Sequence, residues 1–160
     1  MNIKQKLKYK IRIEGLMDSY DQLNDVLVRV FNHALKIEEN SLIREEFKEI
    51  SMNDMHILDA IGDGEPKNMS SIAKIVGVTV GTLTIAMNNL VKKGYVTRTR
   101  SEADRRVVLI GLTDKGKNAY VRHQEFHLEM IKAMRQGLTD EQCLVLMQAI
   151  KNLKDHLQIM

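Results

Sequence analysis

The stretch MSSIAKIVGVTVGTLTIAMNNLVKKGYVTRTRSEADRRVVLIGLTDKG, residues 69–116, decides the fold of this chain. Apolar residues recur at helical spacing over about residues 69–76 and again over about residues 80–93, with a turn around Gly77 between the two patterns. Gly94 directly follows the second pattern, as expected for a glycine that ends a helix. The first part of the stretch therefore predicts two short helices joined by a tight turn.

The second part of the stretch changes to a strand pattern. Residues 95–100 and 107–110 are rich in Val, Thr, Tyr and Ile, which are typical of β-strands. The polar run SEADRR, residues 101–106, lies between them and suits a turn. We therefore expect a β-hairpin with a charged tip.

Amphipathic helical patterns flank this stretch on both sides. Two precede it, at about residues 17–39 and 51–61, and two follow it, at about residues 113–135 and 139–158. The apolar stripes of the first and last of these helices comprise Tyr20, Leu23, Leu27, Val30 or Phe31, Ala34 and Ile37, and Leu144, Met147, Ile150, Leu153 and Leu157. The expected fold class is mainly α with a small β-hairpin.

The bulk composition indicates one intracellular globular domain. A chain of 160 residues with 44% hydrophobic residues can bury a core. Residues 1–12 contain five Lys or Arg and no acidic residue, so residues 1–16 are interpreted as a basic N-terminal arm and residues 17–160 as a single domain. The only cysteine, Cys143, excludes an intrachain disulfide. The sequence has neither the apolar core of a secretory signal nor a membrane-spanning apolar run, so we expect a cytoplasmic protein.

The positive charge is concentrated in the middle third of the chain. Residues 65–116 contain nine Lys or Arg and four Asp or Glu, a net charge of +5. Residues 1–64 have a net charge of −3 and residues 117–160 a net charge of +1. A local basic region attracts the phosphate backbone of a nucleic acid, although a solvated basic surface would have the same composition.

The second helix of the stretch has the side chains expected of a helix that enters the major groove of DNA. Thr can bond a base edge or contact a thymine methyl, and Asn can form two hydrogen bonds with adenine. Gly81 would let the backbone approach closely, and the basic residues that follow can contact phosphates. The predicted DNA-binding residues are Thr79, Gly81, Thr82, Thr84, Asn88, Asn89, Lys92, Arg98, Arg100, Ser101, Asp104, Arg105 and Arg106.

The hairpin tip suits the minor groove. Arg105 and Arg106 offer guanidinium groups, which bind a narrow minor groove of strong negative potential. Asp104 could hold one guanidinium in a pointing conformation through a bidentate pair. The alternative is a solvated tip without a partner.

The residues of this stretch resemble the MarR family of winged helix-turn-helix regulators. Residues 69–86 are similar to the general helix-turn-helix signature, with Ala73 and the turn glycine Gly77. The run SEADRR, followed by LTDKG at residues 112–116, strongly resembles the wing of that family and the exit from it. The resemblance covers roughly residues 17–158, and it implies a sequence-specific DNA-binding protein.

The same resemblance implies an architecture and an assembly. A winged helix-turn-helix domain at about residues 51–116 would be flanked by dimerisation helices at about residues 17–39 and 113–158. The wide apolar faces of the first and last helices agree with a shared interface, although they could also pack within one chain. A two-fold homodimer would place its two reading helices in successive major grooves of a pseudo-palindromic operator.

Within the family, three stretches resemble the branch that represses bacterial fatty-acid synthesis genes. They are residues 37–39, 55–59 and 81–90. This resemblance implies a homodimeric repressor of those genes, with a long-chain acyl group on acyl carrier protein as its corepressor. No other cofactor is expected.

An acyl chain needs an apolar tunnel. The first helix and the helix that begins at Ser51 offer candidate walls, although apolar stripes are more often plain core. A bound chain would alter DNA affinity by favouring one spacing of the two reading helices. The predicted ligand-binding residues are Leu27, Val30, Phe31, Ala34, Leu35, Met55 and Leu58.

Other regulators and other protein classes remain as alternatives. The effector could be a small aromatic or phenolic ligand that releases DNA, an oxidant acting on Cys143, or a metal bound by His123 and His127, which are four apart on a helix. The sequence contains no nucleophile elbow, phosphate-binding loop, dinucleotide-binding loop or zinc-hydrolase motif, so it does not indicate an enzyme. A winged helix that binds a protein in place of DNA is the remaining rival.

Overall fold

The computed structural model describes residues 3–40 and 47–159, with the backbone alone for residues 3–18, 35 and 158–159. Packing of the Cα trace divides the chain into two compact units, Met1–Asp54 and Met55–Met160. Among the described residues no single helix is long and apolar enough to cross a membrane, and only the bent pair Met69–Val76 and Val80–Lys92 reaches that length and composition together. The elements are α1 (Ile3–Glu38), α2 (Met52–Ile61), β1 (Lys67–Asn68), α3 (Met69–Val76), α4 (Val80–Lys92), β2 (Val96–Arg100), β3 (Val108–Leu112), α5 (Asp114–Arg135) and α6 (Asp140–Ile159).

The first helix is longer than the sequence pattern predicts. It begins at Ile3 rather than at Met17, so the predicted start is wrong and the residues interpreted as a basic arm are helical from Ile3 onward. The reason is visible in the spacing of Ile3, Leu7 and Ile11, which are four apart and share one helical face. The alternating lysines favoured the interpretation of these residues as a basic arm, whereas the apolar spacing indicates a helix.

Reciprocal side-chain caps confirm two predicted helix starts. The Ser51 amide donates to Asp54 Oδ2 over 3.0 Å, and the Asp54 amide donates to Ser51 Oγ over 3.1 Å at the start of α2. At the start of α6, the Thr139 amide donates to Gln142 Oε1 over 2.9 Å and the Gln142 amide donates to Thr139 Oγ1 over 3.3 Å. Each pair satisfies two amides that have no partner inside the helix.

The predicted hairpin is confirmed, and it belongs to a larger sheet. Strands β2 and β3 pair antiparallel, from Val96 opposite Leu112 to Arg100 opposite Val108. The two-residue strand β1 adds to the other edge of β3, which gives the order β1-β3-β2. The sequence did not predict β1, because two residues are too few to show a strand pattern.

The core of the second unit orients α4. Leu83, Met87 and Leu90 are buried on one side of this helix, at positions three or four apart. Packing of this side fixes which face of α4 points to solvent. Among the described residues of the second unit, the largest fully buried side chains are Tyr95, Met55, Leu58, Ile61, Ile72, Leu83, Met87, Leu90, Ile110 and His123.

A tight junction joins the end of α4 to the start of α5. Thr113 Oγ1 donates to the carbonyl of Gly94 over 2.7 Å and also lies 3.1 Å from the Tyr95 carbonyl, while its own oxygen accepts the Gly116 amide over 3.1 Å. A Cβ atom added to Gly116 would lie 2.0 Å from the Tyr95 carbonyl oxygen, so only glycine fits there. These contacts explain the presence of Thr113 and Gly116 in the LTDKG run at residues 112–116.

Candidate nucleic-acid interface

The helix pair α3 and α4 has the geometry of a helix-turn-helix. The two axes bend by 104° at the intervening turn, within the range of roughly 90–120° seen in this motif. Gly77 ends α3 with a φ of 76°, in the left-handed region that favours glycine. Asn68 caps α3 by accepting the Ser71 amide over 2.8 Å, and Thr79 caps α4. Local sequence therefore sets both helix starts and the turn between them.

The solvent-facing side of α4 contains the predicted reading residues. Successive residues rotate by about 100° around a helix, so the side opposite the buried Leu83, Met87 and Leu90 includes Gly81 and Asn88. The predicted residues Thr82, Thr84, Asn89 and Lys92 are likewise exposed. The predicted readers of α4 are thus all open to solvent, with Thr82 toward one edge of the exposed side and Thr84 toward the other.

Two threonines of α4 already have partners within the helix. Thr79 Oγ1 accepts the Thr82 amide over 3.1 Å and lies 3.0 Å from the Thr82 hydroxyl. The Thr84 hydroxyl donates to the Val80 carbonyl over 2.7 Å. Thr79 is therefore a helix cap as well as a candidate DNA contact, and these bonds orient the hydroxyls before DNA arrives.

A side-chain hydrogen bond links α4 to strand β2. Arg98 Nη2 donates to Asn88 Oδ1 over 2.8 Å, and both side chains are exposed. Asn88, predicted to read a base, therefore also positions the guanidinium of Arg98. This connection holds a candidate phosphate contact beside the reading helix.

The turn of the hairpin is organised by Asp104 in a way that the sequence did not predict. Asp104 Oδ1 accepts the backbone amide of Arg106 over 2.9 Å, and the Asp104 carbonyl accepts the Val107 amide over 2.9 Å. Within residues 47–159 the expected bidentate pair between Asp104 and an arginine side chain is not formed, so that prediction is wrong. The reason is that a short Asp side chain reaches a backbone amide two residues on more readily than a distant guanidinium.

The tip of the hairpin is basic and open. Arg105 and Arg106 are both exposed. A depression of about 520 Å³ is lined by Arg100, Ser101, Glu102 and Arg105. Of the predicted hairpin residues, Arg100, Ser101 and Arg105 therefore lie close together, beside the acidic Glu102.

One exposed residue of α4 was missed by the sequence reasoning. Ile85 is 68% exposed although it is a large apolar residue, and it lies on the same side of the helix as Thr82 and Asn88. The available signal was its spacing, three residues after Thr82 and three before Asn88, within a face otherwise predicted to be polar.

The predicted ligand-binding residues differ in burial. Leu27, Val30 and Phe31 of α1 are exposed and Ala34 is half-buried, while the side chain of Leu35 lies outside those that the structure describes. In the second unit, the predicted residues Met55 and Leu58 are fully buried. The acyl tunnel stays a prediction.

The alternative sensor residues are His123 with His127, and Cys143. His123 is buried, with its Nε2 at 3.0 Å from His127 Nε2 and its Nδ1 at 3.5 Å from Asp59 Oδ1. One neutral imidazole can donate to the other across such a distance. Cys143 is buried, as expected for a thiol beside an apolar stripe.

These features define a winged helix-turn-helix DNA-binding protein. The MarR family model matches residues 50–108. FabT of Streptococcus pneumoniae, solved in complex with DNA, is 40% identical, covers 87% of this chain and 97% of that chain, and superposes with a TM-score of 0.77. The chain therefore belongs to the MarR family.

Two further relatives extend the comparison. The uncharacterized HTH-type transcriptional regulator YpoP of Bacillus subtilis is 26% identical over 90% of this chain and 96% of its own length. The transcriptional regulator BldR of Sulfolobus solfataricus is 25% identical, covers 90% of this chain and 98% of that chain, and superposes with a TM-score of 0.60. The chain is thus a transcriptional regulator and not an enzyme.

Proposed function

We propose that this regulator represses fatty-acid synthesis genes and that a long-chain acyl group on acyl carrier protein strengthens its binding to DNA. The observation that carries the proposal is the likeness of residues 37–39, 55–59 and 81–90 to the branch of the family with that role. The 40% identity to FabT over most of the chain supports the same branch. A DNA target implies a cytoplasmic protein.

The proposed binding mode assigns one task to each part of the second unit. The exposed side of α4 enters the major groove, where Thr82 and Asn89 meet base edges. Arg105 and Arg106 at the hairpin tip enter the adjacent minor groove. Arg98, held by Asn88, contacts the phosphate backbone with the other predicted basic residues.

A homodimer is part of the proposal, because each unit leaves an apolar stripe uncovered. In α1, Tyr20, Leu23, Val30 and Phe31 are each more than half exposed. In the second unit, an apolar cavity of about 500 Å³ between α5 and α6 is lined by Ile131, Met134, Arg135, Asp140, Cys143, Leu144, Leu146, Met147 and Ile150. Exposed apolar surfaces of this kind mark contacts between proteins, and a second copy of the chain offers the matching surface.

The acyl group would act through the spacing of the two reading helices. A ligand changes an equilibrium only by binding one state more tightly than the other. An acyl chain that binds better to the dimer whose α4 helices are about 34 Å apart would therefore raise DNA affinity. DNA would raise the affinity for the acyl group by the same factor.

The proposal is tested by titrating the full chain onto a fluorescent promoter fragment from the fatty-acid synthesis operon of the source genome. We expect long-chain acyl-acyl carrier protein to lower the Kd by a factor of about 5–150, the usual size of such coupling. Holo-acyl carrier protein without the acyl group is the control. The variant Arg105→Ala with Arg106→Ala should lose binding with either carrier protein, while circular dichroism shows an unchanged helix content.

Two results would contradict the proposal in different ways. An unchanged Kd with the acylated carrier protein, together with release of DNA by zinc or a phenolic compound, would reject the fatty-acid branch and leave the regulator. A Kd that does not rise as salt is raised from about 50 to 200 mM would contradict the binding mode, because phosphate contacts weaken steeply over that range.

A further inference from the structure

We infer that Ile85 makes the apolar base contact of this regulator, by packing against the 5-methyl group of a thymine in the major groove. The inference rests on the proposed insertion of α4 into that groove. It goes further because it names a residue and the base that the residue selects.

Ile85 is exposed without a structural reason. Its side chain is 68% exposed, while Leu83 and Met87 on the same helix are at most 1% exposed. The core therefore does not need an isoleucine at this position. A large apolar side chain held in water instead gains free energy when a partner covers it.

The position of Ile85 on α4 is central to the face that meets DNA. At about 100° per residue, it points almost directly away from the buried side formed by Leu83, Met87 and Leu90. Thr82 lies one turn before it and Asn89 one turn after it on the same side. When this face enters the groove, Ile85 reaches deepest toward the bases.

The major groove of DNA presents one apolar group that the side chain of Ile85 can contact. Phosphates and the donors and acceptors of base edges bind polar groups, whereas the thymine 5-methyl is the apolar feature that the major groove presents. An isoleucine in a helix has essentially one χ1 conformation, so little side-chain entropy is lost when it packs. Ile85 is thus suited to select thymine over cytosine.

The size of the effect follows from the burial of one methyl group. Covering a single CH₂-sized group contributes a factor of about four in affinity at 25 °C. Each half of a two-fold operator would contain one such contact. The discrimination expected from Ile85 is therefore about fourfold per half-site.

The test uses a duplex selected by the full chain from a random-sequence library. Each thymine of that duplex is replaced in turn by deoxyuridine, which removes only the methyl group, and the Kd is measured by fluorescence anisotropy. We expect the replacement to weaken wild-type binding about fourfold at one position per half-site. Ile85→Ala should bind the thymine duplex more weakly and should show no further loss with deoxyuridine at that position.

Two further variants sharpen the comparison. Ile85→Val should keep most of the discrimination, because it retains a branched apolar side chain. Val91→Ala shortens another exposed apolar residue of α4 that points roughly 120° away from Ile85, so its preference for thymine should equal that of the wild type.

The possible results distinguish failure of the Ile85 contact from failure of the proposed binding mode. Equal discrimination between thymine and deoxyuridine by the wild type and by Ile85→Ala would overturn the inference, as would wild-type binding that is insensitive to every thymine methyl. Failure of the wild type to select any duplex would overturn the proposed binding mode instead. Thermal unfolding shows that the variants are folded, since Ile85 contributes little to the core.

Discussion

Gly81 lies on the open side of α4, where the fold itself does not require a glycine. A Cβ atom added there would meet only the Thr79 hydroxyl oxygen, at an ordinary distance of 3.7 Å. Glycine in a helix destabilises it by roughly 0.5–1 kcal/mol relative to alanine. Glycine at this position therefore lowers the stability of α4 without a gain inside the protein, and the proposed close approach to DNA would account for it.

This explanation predicts opposite effects of Gly81→Ala on stability and on binding. The free energy of unfolding should rise by at most about 0.5–1 kcal/mol, because alanine favours the helix but the full penalty of glycine applies to a helix interior and Gly81 is the second residue of α4. Affinity for the promoter fragment should fall by about tenfold, equivalent to roughly 1.4 kcal/mol, since the new methyl group keeps the backbone from the bases. Urea denaturation and anisotropy measure the two quantities. A more stable variant with wild-type affinity would show that Gly81 has no role at the DNA.

At the scale of elements, the junction between α4 and α5 determines how the reading helix is held. The carbonyl of Tyr95 accepts the Thr113 amide over 3.0 Å and also lies against Gly116. The Lys115 ammonium lies 3.0 Å from the Lys93 carbonyl and 4.4 Å from the centre of the Tyr95 ring. The end of α4 and the first turn of α5 are thus connected by several short contacts.

The junction makes Gly116 the glycine whose replacement should be most costly. Gly116→Ala would place a methyl group 2.0 Å from a backbone oxygen, and such overpacking usually destabilises by about 1–3 kcal/mol. The Tm should fall by about 2–4 °C for each kcal/mol lost. Differential scanning calorimetry gives the shift. Gly64→Ala is the matched control, because its Cβ would meet no atom within 4 Å and its Tm should stay near that of the wild type.

Elements whose signals are local were predictable from the sequence. The bounds of α3, α4 and α5 and the caps at Ser51 and Thr139 follow from helical spacing and from side chains that bond amides three residues away. Strand β1 was not predictable, because its two residues exist as a strand only through pairing with β3. The same limit applies to Asp104, whose bond to the Arg106 amide depends on the fold of the turn.

The DNA-binding site was predicted without any large apolar residue. Ile85 was therefore not included. The spacing of Ile85 already separates it from the apolar stripe of Leu83, Met87 and Leu90, and the orientation of α4 shows that its side chain faces solvent. The α1 boundary failed for a related reason, since the lysines of residues 3–16 were interpreted by charge and not by spacing. The polar residues of the proposed DNA-binding surface were thus predicted from the sequence, whereas its apolar residue, Ile85, was not.

At the scale of the whole molecule, the exposed apolar residues of α1 and α6 support the proposed homodimer. Leu144 and Met147 are about two-thirds exposed and lie within one turn of α6, and Leu157 is more than half exposed near the end of the same helix. A chain that left these residues in water would carry a large aggregation-prone surface. In the proposed homodimer, pairing of two chains would cover that surface and set the distance between the two reading helices.

The homodimer predicts that Leu144→Glu with Met147→Glu yields a folded monomer. Two buried, unpaired carboxylates would oppose association, and loss of the second half-site should weaken promoter binding by more than about tenfold. Light scattering after size-exclusion chromatography gives the mass. Val145→Glu is the matched control, because Val145 is 71% exposed but points about 100° away from Leu144 and about 160° away from Met147 around α6. A dimer that persists in the double variant would place the interface elsewhere.

One side of α4 packs in the core and the other side faces solvent. This separation of roles has an evolutionary consequence. Folding depends on Leu83, Met87 and Leu90, while the open side forms one described contact with another element, the bond between Asn88 and Arg98. Substitutions at positions such as Thr82, Ile85 or Asn89 can therefore change the preferred operator without exhausting the small margin of stability that a domain has. A descendant of this protein could acquire new target genes through a few changes on one helix face, while keeping the fold that holds that helix.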